Sequence, residues 1–284
     1  VRGTWRRVGV TLRTCPGLLI GALLLAALAL IALIGPWLIP GDPWEMVGAP
    51  TLWPGADPAH PLGTDLMGRD IATGLVSGAR VSLLIGLVSS ALAAVLGVAV
   101  GALGGFYRGW VDGLLGRVTE VFQTVPKFVL AVVLVAIFKP SVATEVIAIG
   151  IVSWPATARL VRGEFLRLRE REFVLAAETL GMGDLRLMLT QILPNALPAI
   201  VVVSTLTVAN AIQTEAALAF LGLGDPNVMS WGTIIGAGRD QVVDAWYICA
   251  LPGAAIVVAV LAFNLLGEGL SDATNPHLKR RVLA

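Results

Sequence analysis

Charge is scarce in this chain. Asp, Glu, Lys and Arg make up 14% of its 284 residues, where a water-soluble domain carries about 25%. With 56% hydrophobic residues and a mean hydropathy of +0.84, a soluble domain is excluded and a polytopic membrane protein is indicated. A net charge of +1 offers no excess of cations for nucleic acid. Cysteine is nearly absent: Cys15 and Cys249 lie near opposite ends of the chain and are expected to face different compartments, which argues against a disulfide. His60 and His277 fall in different loops, and no His/Cys/carboxylate cluster has the spacing of a metal site. The G-x-x-x-x-G-K-[ST] phosphate loop is missing. No Ser-His-Asp set or carboxylate pair suggests chemistry on a substrate, so the chain reads as a non-enzyme.

What the sequence has in plenty is long apolar runs. Six all-α crossings of about 20 residues, the length that spans about 30 Å of hydrocarbon, are expected at 18–39, 82–105, 114–138, 142–160, 196–222 and 248–270. The first follows Arg2, Arg6, Arg7 and Arg13, as a signal peptide would. At about 22 residues, however, it exceeds the ~7–15 of a signal core, so it reads as a permanent span with the Arg6–Arg7 pair as its inside anchor. Cys15 precedes the run and is not a lipoprotein cleavage site. Basic residues orient the bundle. With the N-terminus in the cytoplasm, fifteen Lys and Arg lie in inside segments and four (Arg69, Arg80, Lys139, Arg239) outside. Both termini are therefore expected to be cytoplasmic. The organisation reads as 1–79 (N-terminus, first span and long external loop), 80–270 (the transmembrane unit) and 271–284 (a cytoplasmic tail).

One polar island breaks the apolar pattern. Arg159 to Pro194 holds six of the 20 Lys and Arg, too much charge for lipid. Phe173, Ala176, Ala177 and Leu180 recur at i, i+3, i+4, i+7, one stripe of a helix. Gly181 and Gly183 then interrupt it. Asp184 is placed to cap a second short helix, whose stripe is Leu185, Met188, Leu189 and Ile192. Two amphipathic helices around a glycine break read as a docking element for another protein.

Within the spans, Gly97, Gly101 and Gly105 recur every four residues, which permits close helix contact inside one subunit or between subunits. Pro126 is expected to kink the third span. Glu120 and Glu215 are read as the acids nearest to span interiors, serving either a watery path or a structural hydrogen bond. Asn210 and Gln213 are placed to share a polar face with Glu215. In the long first loop, Asp65 and Asp70 are read as turn and capping residues. Trp231 and Trp246 are read as interface anchors.

The island resembles the EAA loop of ABC importer permeases, over 161–195. Ala176, Ala177, Gly181, Leu193 and Pro194 match its pattern, while Leu175 replaces the acid and Gln191 stands where Ile is usual. Six further strings, HPLGTDLMGRD (60–70), GARVSL (78–83), WPATARLVRGE (154–164), EAALAFLGLG (215–224), SWG (230–232) and AFNLLGEGL (262–270), are similar to C-type permeases of dipeptide and oligopeptide importers, a branch shared with nickel importers. The resemblance implies a type I importer permease fold in a prokaryotic inner membrane. It implies partner ATPase subunits that bind the ATP and Mg, a B-type permease as the other half of the pathway, and an extracytoplasmic binding protein. It assigns Phe173, Ala176, Ala177, Leu180, Gly181 and Asp184 to the ATPase contact. The arginines around them, Arg167, Arg169, Arg171 and Arg186, are expected to divide between lipid headgroups and partner acids. A cargo of short peptides is the first expectation. Nickel or a porphyrin within the same class, or an ion-driven secondary transporter, are the alternatives.

Overall fold

A computed structural model describes residues 16–274. Cys15, His277 and the two basic termini lie outside them. Among the described residues the chain is helical: α1 (Pro16–Leu38), α2 (Ile71–Tyr107), α3 (Gly109–Thr124), α4 (Lys127–Phe138), α5 (Val142–Arg169), α6 (Glu172–Thr179), α7 (Asp184–Leu187), α8 (Leu193–Phe220), α9 (Trp231–Gly238) and α10 (Tyr247–Thr274). Five helices, α7 and α8 running together as one, are long and apolar enough to cross a bilayer, and the bent pair α3–α4 has the length and composition for a sixth crossing.

That sixth crossing is broken rather than kinked. The axes of α3 and α4 meet at 83°. Pro126 has no N–H to continue α3 and forces its predecessor out of helical conformation; Val125 is extended (φ −86, ψ 130) and Pro126 serves as the N-cap of α4. The return crossing is nevertheless required. Gly97 abuts Thr157 and Gly105 abuts Phe165, so α2 and α5 run parallel, and parallel neighbours need a crossover between them. A Cβ at Gly97 or Gly105 would lie 2.6–2.7 Å from atoms of α5. This glycine row is therefore packing inside one subunit.

Several expected spans are longer than read. α2 has 37 residues, about 55 Å at 1.5 Å per residue, and projects beyond the hydrocarbon. Asp70 starts it, accepting the Thr73 N–H at 2.8 Å and the Thr73 hydroxyl at 2.7 Å. Arg80 is inside this helix, not in the external loop. Its guanidinium donates to the carbonyls of Ala32 and Leu33 in α1. Pro36, four residues beyond Ala32, has no N–H to offer that carbonyl, and the arginine takes its place. α5 runs to Arg169, so the first third of the island prolongs a span.

The interior mixes apolar side chains with small polar ones, and the outside is greasy. Buried positions include Ser82, Ser89, Ser90, Thr157, Thr205 and Thr207, whereas Leu23, Leu33, Val95 and Val257 are exposed. Lipid tails give no hydrophobic force between helices, so close packing of small residues holds them together. The long external loop folds on itself. Thr64 donates to Ala49 O at 2.6 Å and accepts the Leu52 N–H at 3.0 Å. Tyr247 pins the loop to α10 by donating to Thr64 O at 3.2 Å. One end of the bundle thus carries residues 39–70 and 221–246; the other carries the island.

Candidate coupling surface and pathway face

The island end is built on an apolar platform. Phe106 of α2, Val161, Phe165 and Leu168 of α5, and Ala196 and Ile200 of α8 form a buried cluster. α6 settles on it through Val174, which is fully buried, with Ala177 half-buried beside it. Phe173, Ala176 and Leu180 face outward, Leu180 at 88% exposure. The predicted stripe is thus mostly uncovered, and the residue that seats the helix, Val174, was not in it. Val174 with Ala177 three residues on is the signal that names the inner face.

Gly181 ends α6 at φ +80. Its N–H bonds to Glu178 O at 2.9 Å and that of Met182 to Ala177 O at 3.1 Å, the paired arrangement that closes a helix at a left-handed residue. A Cβ there would meet nothing within 4 Å, so the constraint is backbone conformation and not space. Asp184 does not cap α7. Gly183 occupies that position without a side-chain bond, and Asp184 is the first helical residue, where a negative charge still suits the helix dipole.

The second stripe is also divided. Met188 and Ile192 are buried with Leu187, but Leu185 and Leu189 are exposed. Residues Met188–Ile192 form a π-turn. Its extra residue moves the inward row away from a strict 3.6-residue repeat. Two of the arginines pair within this chain instead of waiting for headgroups or a partner. Arg167 meets Glu164 at 2.5 Å and Arg169 meets Glu178 at 3.5 Å, with Arg169 also 4.1 Å above the Phe106 ring. Arg171 and Arg186 are exposed without an ion pair among the described residues.

The three polar residues of α8 do not share a face. Asn210 and Gln213 are exposed, and Asn210 Nδ2 donates to Leu206 O at 2.9 Å. Glu215 points the other way, 1% exposed, and accepts from the Ser82 hydroxyl at 3.1 Å. Two residues from Gln213 is about 200° around a helix. Glu120 is exposed, not interior. With Arg117, Gln123, Arg159 and the ion-paired Asp112 and Arg162 it lines a groove of about 510 Å³ between α2, α3 and α5. The second interior acid is Glu145, buried near the start of α5 and accepting the Asp225 N–H at 3.0 Å. Sequence reading missed it, although it stands three residues inside an expected span.

Among the described residues no group of three His, Cys, Asp or Glu side chains can hold a metal ion. The site is a surface plus a set of polar helix faces. It can bind another protein and line a path.

Comparison with known proteins bears on the same surfaces. The family model for the inner membrane component of binding-protein-dependent transport systems matches residues 93–280, spanning α6, α8 and the polar island. The di/tripeptide transport system permease protein DppC of Pseudomonas aeruginosa is 40% identical over 269 residues, covering 93% of this chain and 89% of that one. The glutathione transport system permease protein GsiD of Pectobacterium atrosepticum is 37% identical, covering 98% and 91%. A solved inward-facing structure of the MetNI methionine ABC transporter superposes with a TM-score of 0.60 at 19% identity, over 71% of this chain and 96% of that one; at that identity it speaks for the type I importer fold alone. A helical membrane chain without a phosphate loop, with an uncovered apolar helix at one end and relatives of this kind along nearly its whole length, belongs to the binding-protein-dependent transport system inner membrane components, the permease subunits of ABC importers.

Proposed function

We propose that the chain forms one half of the translocation path of an ATP-driven importer of short peptides. The observation that carries the coupling part is α6: seated by Val174, it leaves Phe173, Ala176 and Leu180 uncovered at the polar end of the bundle. An apolar patch rimmed by charge marks a protein contact. In this reading the island end is cytoplasmic, in keeping with its basic residues, and α6 and α7 sit in a cleft of an ATPase subunit. Gly181 makes the turn there, and Asp184 lies on the same exposed side. The ATPases hold the ATP and Mg. A related B-type permease supplies the other half of the path, which Asn210 and Gln213 of α8 would face. An extracytoplasmic binding protein delivers cargo to the loop end.

Short peptides are favoured by the relatives named for di/tripeptide transport and dipeptide transport. Glutathione, itself a short peptide, is the second reading, on the strength of the relatives named for it. The ion-driven alternative is displaced by family membership. The test is reconstitution of the assembled complex in liposomes with labelled dipeptides, oligopeptides, glutathione, nickel and haem. ATP-dependent uptake of dipeptides is expected. Uptake of nickel or haem alone would reject the peptide assignment, and uptake without ATP would reject the coupling.

A further inference from the structure

Two carboxylates, Glu145 in α5 and Glu215 in α8, are buried inside the bundle. Neither ion-pairs with a cation among the described residues. Burying such groups is costly, and apolar residues of the same size commonly serve stability as well or better. Both are directed at one segment, residues 221–231. Glu145 accepts the Asp225 N–H at 3.0 Å, while Asp225 Oδ2 accepts the Val142 N–H at 3.1 Å. Glu215 reaches the segment through Ser82 and also lies against the Ser230 side chain. The Trp231 N–H donates to Ser82 Oγ at 3.2 Å, and Ser82 Oγ lies 3.1 Å from Glu215 Oε2. A hydroxyl has one proton to give. Ser82 gives it to Glu215 Oε2 and accepts the Trp231 N–H on the same oxygen.

The relay meets the first residue of α9, an eight-residue helix capped by Ser230 and lodged between three long helices. A Cβ at Gly78 of α2 would sit 3.0 Å from Trp231 N, and one at Gly232 would sit 2.6 Å from Ala216 Cα of α8. The Trp231 indole N–H adds a bond to Leu75 O at 3.0 Å. Packing fixes distance; the relay adds direction.

We infer that Glu215 is a positioning residue for transport: through Ser82 it locks Trp231 and α9 to α8, so that α8, whose other end continues into the docking segment, carries the loop-end cap with it as one body. This rests on the coupling reading above. α8 is one continuous helix from Leu193 to Phe220, with Glu215 at one end and the π-turn at the other, and a movement imposed on the island end reaches α9 through it.

The test uses the assembled complex with its ATPases, partner permease and binding protein in liposomes. Three variants are compared with wild type: Glu215→Leu, Glu215→Gln and Ser82→Ala. The wild type and the three variants all carry Ala237→Cys, at an exposed position of α9, in a background with Cys15 replaced by alanine and Cys249 by serine, whose hydroxyl can keep the bond to Ile235 O. Peptide uptake per ATP hydrolysed and reactivity of the α9 cysteine with an impermeant maleimide, with and without vanadate-trapped ATP, are read together. In Glu215→Leu and in Ser82→Ala, uptake per ATP is expected to fall at least about fivefold, the lower end of measured coupling between sites. ATPase activity should persist and the ATP-dependent change in maleimide reactivity should vanish. Glu215→Gln, whose amide oxygen still accepts from Ser82, should restore both. Unchanged uptake per ATP in Glu215→Leu and Ser82→Ala overturns the inference. So does a Glu215→Gln complex as defective as the leucine variant, or a loss of assembled complex in both Glu215→Leu and Ser82→Ala. Lack of peptide uptake by wild type would instead count against the proposed cargo, and the maleimide readout, which needs no cargo, still decides the lock.

Discussion

Both ends of the bundle rest on buried apolar clusters, and they differ in what is added to them. At the loop end the ties are directional: Asp70 caps α2, Tyr247 holds Thr64, Glu145 holds Asp225, and Ser82 joins Trp231 to Glu215. At the island end α6 rests on an apolar platform through Val174 and Ala177, with one partly exposed ion pair, Arg169–Glu178, beside it. Hydrogen bonds fix orientation as well as distance, whereas apolar contact is indifferent to direction. The loop end is therefore finished within this chain. The island end holds its helix in place yet leaves its outer face for something else to orient.

The largest expected effect breaks this asymmetry at the open end. Phe173→Glu with Leu180→Glu puts charge where a partner must lie, at two exposed positions where the fold loses little. Each should cost about 2 kcal/mol of docking, the size of an interface hot spot and roughly thirtyfold in affinity. Co-purification of the ATPase should disappear while thermal stability of the permease in detergent stays unchanged. The reverse pattern comes from the closed end. Asp70→Ala removes a helix cap, at a cost of about 1 kcal/mol, and should lower the melting temperature without reducing ATPase co-purification. Asp70→Asn should recover most of it.

Gly181→Ala is subtler. Space is open around that residue, so the cost is the left-handed conformation, about 1–2 kcal/mol. Weaker ATPase association is expected, with normal insertion of the permease. Gly181→Trp should abolish coupling outright because its ring projects into the docking face. Should Gly181→Trp support normal uptake, the docking role falls.

The smallest effect concerns pH. Burial works to raise the Asp225 carboxyl, but hydrogen bonds from the Asn227 backbone, the Val142 N–H and the Asn227 side chain outweigh it and hold the group below its ordinary value. A depressed carboxylate contributes stability above its unfolded value and loses it as pH falls through the folded one. Hydrogen-exchange protection of the Val142 amide, corrected for intrinsic rate, should hold from neutral pH to the ordinary carboxylate range and fall only below it. Loss of protection already at neutral pH would show that Asp225 does not tie the loop.

Much of this was legible in the sequence because lipid imposes simple rules. Length and apolarity placed every crossing, and the island's charge set it apart. What was missed shares a cause. The lengths of α2 and α5 were underestimated because hydropathy marks where lipid ends, not where a helix ends. Glu145 escaped because it stands three residues from the expected start of its span, where an acid reads as a boundary residue. Glu215 was grouped with Gln213 by proximity in sequence, though a two-residue step puts side chains on nearly opposite sides of a helix. The Leu185, Met188, Leu189, Ile192 stripe assumed an even winding that the π-turn does not have. Arg80 reads as a loop residue because its partners, the carbonyls of Ala32 and Leu33 in another helix, are invisible until the two helices are side by side.

The wide turn at Met188–Ile192 also sets the compass bearing of the docking helix. Each residue of an ordinary helix advances about 100°, so deleting one there would swing everything upstream by more than a quarter circle around α8. The handle would keep its shape and its chemistry while facing the wrong way.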